Sequence, residues 1–332
     1  MWFEELTGFS EQSPQQVREN ISFEGNSLKS GINGQMFICG ELETPSLAEL
    51  RELVHSSGYK TGKISIGEIV ADVQKLHTTE SNANSLFQVA SQFNLLEMTS
   101  PSVTPERGVG IYQYDHTQGP ACAVAAGAGT IYRNYFAVVN GRIGQSEDNQ
   151  IDCLADIGAA LGNSESQLWE MRNGYALATH NGLMQSSNQL LASSEGELDK
   201  LRQLVRIGIQ WNTQVTLNDI KHLVSQAYCS ALPVAYSQHS SCLWAEFAQL
   251  VLEASYEATI CTAILNSVRN GNNRVFLTLL GGGAFGNETT WIIKAIERAL
   301  NLYKDADLDV SIVSYGSSKQ YIKNFINQIH SQ

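Results

Sequence analysis

Residues 275–288 read VFLTLLGGGAFGNE, and the interpretation of the whole chain starts from this stretch. A run of strand-forming residues leads into a turn with glycine at 281, 282, 283 and 286, and the following TTWIIKAIERAL has the apolar spacing of a helix. Glycines let the backbone approach a ligand closely, and successive N–H groups near a helix N-terminus attract anions. The pattern predicts a strand–turn–helix unit whose turn holds a diphosphate. A tight turn without a ligand is the alternative.

Two common nucleotide-binding motifs do not fit this turn. Gly286 is followed by Asn287 rather than by Lys, so the turn is not a GxxxxGK[ST] loop. It also lacks the GxGxxG spacing with an acidic residue about 20 positions further on. A P-loop NTPase and a standard dinucleotide-binding fold are therefore both disfavoured.

Composition and charge exclude several classes of protein. The chain has 332 residues, 43% of them apolar, and a formal net charge of −12. A general nucleic-acid binder needs a basic field to meet phosphates, so no nucleic-acid partner is expected. No apolar run approaches the length of a membrane span, and the N-terminal MWFEELTGFSEQSP does not have the pattern of a signal peptide. No membrane association is expected either.

The six cysteines are spread over the chain, and no two of them form a CxxC pair. Their spacing suggests neither a zinc site nor a disulfide framework. No regular spacing of His, Cys and acidic residues predicts another metal site. The expectation is a cytoplasmic protein that uses neither a metal ion nor a cofactor.

Apolar periodicity predicts an α/β fold. The end of the chain reads as a strand over 274–280, the glycine loop, a helix over 290–303 and a strand over 310–314. A further strand is predicted over 86–93. This β–loop–α–β order belongs to a parallel or mixed sheet covered by helices.

Other segments read mainly as helix. Ser46 is expected to cap a helix with Leu47, Leu50, Leu53 and Val54 on one face. Residues 63–79 read as a turn followed by a helix. Residues 164–270 read almost entirely as helix, apart from a strand-like stretch over 204–217.

Four blocks of sequence together resemble a known family. They are FQVASQFNLLE (87–97), TQGPACAVAAGAGTIYRNYF (117–136), LWEMRNGYAL (168–177) and LLGGGAFGN (279–287). The set resembles a divergent group of macrodomain-related and poly(ADP-ribose) glycohydrolase-like ADP-ribosylhydrolases, which includes a Legionella effector that removes ADP-ribose from arginine on ubiquitin. The resemblance implies one macrodomain-like domain over residues 1–332, a three-layer α/β/α fold with a mixed central sheet, and a large helical insertion over about 164–270.

The resemblance also implies a function and a partner. The chain would be a hydrolase that cleaves the N-glycosidic bond joining ADP-ribose to a protein, with arginine as the modified residue. A non-catalytic module that reads ADP-ribose with the same pocket is the alternative. A third possibility is a helical partner-binding protein in which the glycine loop is only a turn.

The resemblance assigns binding roles to particular residues. The glycine loop would line the diphosphate, with Phe285 beside the distal ribose. Asn94 would approach that ribose, or else only cap a turn. The start of the helix after residue 116 would contact the ligand. The full set of expected binding residues is Asn94, Thr117, Gln118, Gly119, Gly281, Gly282, Gly283, Ala284, Phe285, Gly286 and Asn287.

Candidate catalytic groups are carboxylates, because glycosidic cleavage passes through an oxocarbenium-like state. Asp115 is the first candidate for orienting or activating water, and Glu97 and Asp148 follow. Glu97 is a lone acid in the apolar segment NLLEM. An acidic residue among apolar ones is rarely buried without a partner, so a role in the site is favoured over simple exposure to water. The chain lacks the GGG…QEE signature of the glycohydrolases and the NxxGGGG of ordinary macrodomains.

Several other polar residues have structural explanations that compete with functional ones. Asp152 and Asp156 would share a helix face, or serve only the helix dipole. His116 reads as a surface or packed histidine. Asn173 and Tyr175 would contact the nucleotide, or mark only an interrupted helix.

Overall fold

The computed structural model describes residues 1–331. Helices of the α type are α1 (Trp2–Thr7), α2 (Pro14–Asn20), α3 (Leu47–Ser56), α4 (Val73–Thr78), α5 (Gln118–Ala125), α6 (Gly127–Tyr135), α7 (Ala155–Leu161), α8 (His180–Ala192), α9 (Glu195–Arg202), α10 (Ser241–Asn270), α11 (Thr289–Leu302) and α12 (Gln320–His330). Strands are β1 (Ile21–Glu24), β2 (Ser27–Ser30), β3 (Met36–Ile38), β4 (Glu41–Glu43), β5 (Ser65–Val70), β6 (Leu86–Ala90), β7 (Val138–Val139), β8 (Arg142–Ile143), β9 (Trp169–Arg172), β10 (Tyr175–Ala178), β11 (Gly208–Gln214), β12 (Leu223–Cys229), β13 (Arg274–Leu277) and β14 (Asp309–Ser314).

A seven-stranded mixed sheet organises the molecule, in the order β4-β11-β12-β6-β13-β14-β5. The five strands from β12 to β5 are parallel to one another. At the other end, β11 is antiparallel to both β12 and β4. The carboxyl ends of the five parallel strands therefore share one edge of the sheet, where ligands bind in open α/β folds.

Helices cover both faces of this sheet, as two adjacent residues of β6 demonstrate. The Gln88 amide donates to Thr259 Oγ1 on α10, at 2.8 Å, whereas Phe87 stacks on His77 of α4, with ring centroids 3.7 Å apart. Successive strand residues point to opposite faces, so α10 and α4 lie on opposite sides. The predicted class, a three-layer α/β/α fold with a mixed central sheet, is confirmed.

A second apolar cluster lies beside the main core. It is formed by the N-terminal helices, the small sheet β1-β2-β3 and α6, with Phe3, Val17 and Tyr135 among its buried members. The partly buried carboxylate of Glu11 links this cluster to the segment before α5, because it accepts hydrogen bonds from the amides of Val109 (3.0 Å) and Gly110 (2.7 Å). The N-terminal region thereby holds the chain that leads to Asp115.

Predictions for the end of the chain are confirmed: β13, the glycine loop, α11 and β14 follow in the expected order. The predicted helix after Ser46 is also confirmed as α3, with a capping box between Ser46 and Glu49, although Leu53 is exposed rather than on the buried face. The turn predicted before α4 is wrong. That stretch forms β5, an edge strand of the sheet.

The segment 164–270 contains more strand than its sequence predicts. It includes α8, α9 and α10, and the strand-like stretch is confirmed as β11. It also contains the hairpin β9–β10 and the strand β12, which were predicted as helix. Because β11 and β12 are part of the central sheet, the segment supplies a structural part of that sheet as well as helices.

Two further properties concern membrane-spanning helices and the cysteines. None of the helices described over 1–331 combines the length and the apolarity needed to cross a bilayer. All six cysteines are free, and only Cys242 is exposed. The cytoplasmic location stays a prediction.

Candidate functional site

Two adjoining cavities form a cleft at the carboxyl edge of the parallel strands. The first has a volume of about 270 Å³ and is lined by residues that follow β6, β12 and β13. The second has a volume of about 690 Å³ and is lined by residues at or after the ends of β5, β13 and β14. Both cavities share the lining residues Asp115, Thr117, Gln118, Thr278 and Leu279.

The glycine loop joins β13 to α11 and is closed by its own hydrogen bonds. The Asn287 amide donates to the Gly281 carbonyl at 2.9 Å, and Asn287 Nδ2 donates to the Leu232 carbonyl at 2.8 Å. Gly281 has φ +69°, and a Cβ there would lie 2.5 Å from Asn287 Nδ2. Only glycine fits this position, because both the backbone conformation and the space exclude a side chain.

Amides in the glycine loop divide into two sets. Those of Gly282, Gly286 and Asn287 donate to backbone carbonyls inside the loop. By contrast, within residues 1–331 no hydrogen-bond acceptor is found for the amides of Gly281, Gly283, Ala284 and Phe285. These four residues, but not the other three, line the first cavity.

The N-terminus of α5 faces the same cavity. Thr117, Gln118 and Gly119 line it, and the amides of Gln118 and Gly119 likewise have no acceptor in the described chain. The Gln118 side chain is occupied, since its oxygen accepts from the Ala90 amide at 2.9 Å and its nitrogen donates to the Gln88 carbonyl at 2.8 Å. A Cβ on Gly119 would lie 1.9 Å from the Ala90 carbonyl oxygen, so glycine lets α5 begin against the end of β6.

Glu97 lines the first cavity and is only 1% exposed. Neither of its carboxyl oxygens has a hydrogen-bond partner in the described residues. The nearest cation is the buried Arg133, whose Nη2 lies 3.9 Å from Oε2. Burial raises the pKa of Glu97 to about 8, with Arg133 opposing the rise and Asp115 adding to it. Such a carboxyl group is mostly protonated near neutral pH.

Arg133 is held in place by the residues around Glu97. Its Nε donates to the Leu95 carbonyl at 3.1 Å, and its guanidinium lies over the Tyr228 ring, 3.7 Å from the centroid. Arg133 Nη1 is buried without a partner. The Glu97–Arg133 pair therefore leaves polar atoms unsatisfied on both sides, which is unusual inside a protein.

Asp115 lies where the two cavities meet and is partly exposed. Its Oδ1 accepts a hydrogen bond from the Thr117 amide at 2.9 Å. This bond fixes the carboxylate at the start of α5. Asp115 and Glu97 are thus brought to one cavity, although they are 18 positions apart in the sequence.

Three aromatic rings close one side of the first cavity. Phe285 comes from the glycine loop, Tyr175 from the start of β10 and Tyr236 from the segment after β12. Tyr236 is missing from the site predicted from sequence, because residues 223–229 were predicted as helix and the place of β12 beside β6 could not be known. A correct strand prediction for 223–229 would have pointed to the residues that follow it.

Some expected site residues lie outside the lining of both cavities. Asn94 is buried, with its side chain bonded to Gln150 and to the Leu96 amide. Asp148 is exposed and pairs with Arg142 at 3.0 Å. Gly282, Gly286 and Asn287 shape the glycine loop without facing the cavities.

Most of the remaining polar residues singled out in the sequence have structural partners. The helix predicted to carry both Asp152 and Asp156 starts only at Ala155, so they do not share a helix face. Asp152 caps the turn before α7, and Asp156 pairs with Arg206 at 2.7 Å. Asn173 donates to the Pro101 carbonyl at 2.7 Å. His116 lines the second cavity.

No cluster of three or more His, Cys, Asp or Glu suited to a metal ion occurs among residues 1–331. The chemistry that the cleft offers comes from amides, carboxyl groups and aromatic rings.

No protein-family profile matches the chain, and no curated protein matches its sequence. Among solved structures, it is similar to a poly(ADP-ribose) glycohydrolase from Deinococcus radiodurans in complex with ADP-ribose, with 10% identity, a TM-score of 0.47 and coverage of 88% of this chain and 94% of that one. It is also similar to a poly(ADP-ribose) glycohydrolase from Thermomonospora curvata bound to the inhibitor ADP-HPD, with 11% identity, a TM-score of 0.44 and coverage of 96% of both chains. At this level of similarity, the function has to be argued from the residues of this chain.

Proposed function

We propose that this chain is an ADP-ribosylhydrolase, which binds an ADP-ribose unit attached to another molecule and hydrolyses the glycosidic bond of its distal ribose. One observation carries the proposal. The glycine-loop residues whose amides have no acceptor, Gly281, Gly283, Ala284 and Phe285, are the loop residues that line the first cavity. Several unpaired amides along one cavity wall suit the oxygens of a diphosphate.

The two cavities suit the two halves of ADP-ribose. With the diphosphate against the glycine loop and the start of α5, the distal ribose would enter the first cavity, where Glu97 lies. The adenosine would then extend past Asp115 into the larger second cavity. Binding energy from the adenosine and the diphosphate would place the anomeric carbon near the two acids.

The proposed reaction uses one protonated and one ionised carboxyl group. Glu97, with its raised pKa, donates a proton to the atom that leaves the anomeric carbon. Asp115 orients a water molecule and takes its proton as the water oxygen bonds to that carbon. The bond to the leaving atom breaks, and its electron pair stays with that atom. Transfer of the proton from Asp115 back to Glu97 through solvent restores both groups.

For the group that carries ADP-ribose, the proposal is an arginine side chain of a protein. Glu97 and Asp115 line the first cavity, and no Lys or Arg lines it in the described part of the chain. A guanidinium next to the ribose would be attracted by the carboxylate of Asp115. An anionic or neutral carrier would lack this attraction.

One observation favours the alternative of an ADP-ribose reader without activity. The oxygens of Glu97 are closed to solvent, so a bound ligand would have to reach them for proton transfer. If Glu97 stays covered, the same pocket binds ADP-ribose and does not cleave it.

Calorimetric titration with ADP-ribose tests the pocket that both functions share. Saturable binding is expected, and a matched titration with ribose 5-phosphate, which lacks the diphosphate and the adenosine, is expected to be much weaker. The absence of heat at millimolar ADP-ribose would contradict the hydrolase and the reader together.

Turnover of a peptide with ADP-ribosylated arginine separates the hydrolase from the reader. We expect free ADP-ribose to be released, and Asp115→Asn to lower kcat by about 100-fold or more. Asparagine keeps an oxygen that can accept from the Thr117 amide, so the loop should keep its shape. The control variant is Asp305→Asn, an exposed residue outside the cleft. Full turnover by Asp115→Asn would remove Asp115 from the mechanism.

A further inference from the structure

The aromatic side of the first cavity is built from three separate parts of the chain. The Tyr175 and Tyr236 ring centroids are 5.1 Å apart, those of Tyr175 and Phe285 are 5.4 Å apart, and those of Tyr236 and Phe285 are 5.5 Å apart. All three residues line the cavity. We call these residues the aromatic wall.

The aromatic wall is anchored at its inner end. Tyr175 is buried, and its hydroxyl donates to the Met98 carbonyl at 2.7 Å. The Ala235 amide donates to the Phe285 carbonyl at 3.0 Å, which ties the segment carrying Tyr236 to the glycine loop. Tyr236 itself is 38% exposed. It therefore stands at the rim, where the group attached to the ribose would leave the cavity.

Acidic groups complete the surroundings of this wall. The same cavity is lined by Glu97 and Asp115, and by no Lys or Arg in the described chain. Aromatic faces attract cations, and the planar guanidinium stacks on them better than an ammonium does. A hydroxyl-bearing carrier such as serine gains nothing comparable from a π face. The combination of ring faces and carboxyl groups is thus selective for a planar cation.

We infer that the aromatic wall determines which ADP-ribosylated side chain the site accepts, and that Tyr236 is the specificity residue that stacks on an arginine guanidinium attached to the distal ribose. This inference rests on the proposed function. It adds a recognition element for the carrier that is separate from the amides that would hold the diphosphate and from the acids that would act on the bond.

The test compares two substrates in two variants. Tyr236→Leu keeps an apolar side chain and removes the π face, whereas Tyr236→Phe keeps the face. We expect Tyr236→Leu to lower kcat/KM for a peptide with ADP-ribosylated arginine by about tenfold. The same variant should leave kcat/KM for an ADP-ribosylated serine peptide and the affinity for free ADP-ribose unchanged within about twofold. Tyr236→Phe should behave like the wild type on both peptides.

Tyr321→Leu is the matched control, because Tyr321 is also 38% exposed and lies on α12, outside both cavities. An equal loss on both peptides, or no loss on either, would overturn the inference and leave the hydrolase proposal intact. If the wild-type chain binds the conjugates without cleaving them, the same ratio is measured from dissociation constants. If it binds neither the conjugates nor ADP-ribose, the proposed function fails together with the inference.

Discussion

Glu97 is a buried carboxyl group that lines the first cavity, with Arg133 near it but outside hydrogen-bonding distance. An unpaired buried polar group costs free energy. Its presence is explained if the cavity that it lines holds a ligand or a water molecule during the reaction. A group that is protonated near neutral pH can then donate a proton, which an exposed carboxylate could not do.

The pH profile of the reaction tests this role. Because burial raises the pKa of Glu97 to about 8, kcat/KM for the arginine-linked peptide should fall on the alkaline side with a midpoint near that value. Glu97→Gln should remove the proton donor, lower kcat by about 100-fold or more and abolish the alkaline limb. A Glu97→Gln enzyme with normal kcat and an unchanged limb would contradict the assignment.

The same raised pKa links stability to pH. Glu97 is protonated in both the folded and the unfolded state below its ordinary pKa of 4.5, and between 4.5 and about 8 only the unfolded state ionises. The free energy of unfolding of the wild type, relative to Glu97→Gln, should therefore decrease as pH rises through this range, by up to about 1.4 kcal/mol per pH unit. Urea denaturation of both proteins at several pH values measures the difference. If the free energies of unfolding of the two proteins changed with pH in the same way, Glu97 would not have a raised pKa in the folded state.

The sequence points to individual residues where the local pattern is unusual, and the catalytic roles assigned to them stay predictions. Glu97 drew attention as a lone acid among apolar residues, and Asp115 as an acid just before a predicted helix. Asp148 was predicted on the same chemistry, but its loop carries it to the surface beside Arg142. Tyr236 could not be found, because its position depends on which strands are neighbours in the sheet.

Among the structural elements, the unit β13–loop–α11 positions the proposed diphosphate site. Asn287 closes the loop through one backbone and one side-chain bond. The free amides of Gly283, Ala284 and Phe285 lie between these anchor points, so the loop geometry depends on a residue that does not face the cavity.

Replacing Asn287 with alanine tests this dependence. The change removes one of the two hydrogen bonds that the Leu232 carbonyl accepts, the other coming from the Val234 amide at 2.9 Å, and should cost about 1 kcal/mol of stability. It should also weaken ADP-ribose binding several-fold, because the loop amides lose their fixed positions. Asn163→Ala is the control, since Asn163 Nδ2 makes a similar bond to the Trp169 carbonyl, at 3.0 Å, outside both cavities. Equal ADP-ribose affinities in the two variants would contradict the role of the loop.

The elements differ in how well their sequences predict them. The unit β13–loop–α11–β14 was predicted well, because strand, glycine and helix signals follow one another without ambiguity. Strand β12 was missed because polar residues in it are buried: Gln226 donates to the Cys122 carbonyl at 3.0 Å, and Ser225 is fully covered. Such residues disturb the apolar pattern from which strands are predicted.

Across the whole molecule, a partly buried ion network holds the helices on one side of the sheet together. Arg51 on α3 contacts Glu257 on α10, at 2.5 Å, and Asp199 on α9, at 2.8 Å. Arg298 on α11 contacts Glu257 at 2.6 Å. Glu257 has only 2% of its side chain exposed. The network links four helices, away from the proposed site.

Removing one member of this network should destabilise the protein without altering the cleft. Arg51→Ala leaves the buried Glu257 with Arg298 as its remaining cation, and we expect a loss of about 3 kcal/mol in chemical denaturation. Arg142→Ala, which removes an exposed pair with Asp148, should cost less than about 1 kcal/mol. ADP-ribose affinity should be unchanged in Arg51→Ala under conditions where it is folded. Equal losses of stability in the two variants would contradict the importance of the network.

A crystal structure of the chain with ADP-ribose tests the central claim most directly. We predict diphosphate oxygens within hydrogen-bonding distance of the amides of Gly283, Ala284 and Phe285, with the distal ribose between Glu97 and Phe285. ADP-ribose bound elsewhere, or bound in the cleft with these amides facing only water, would contradict the account.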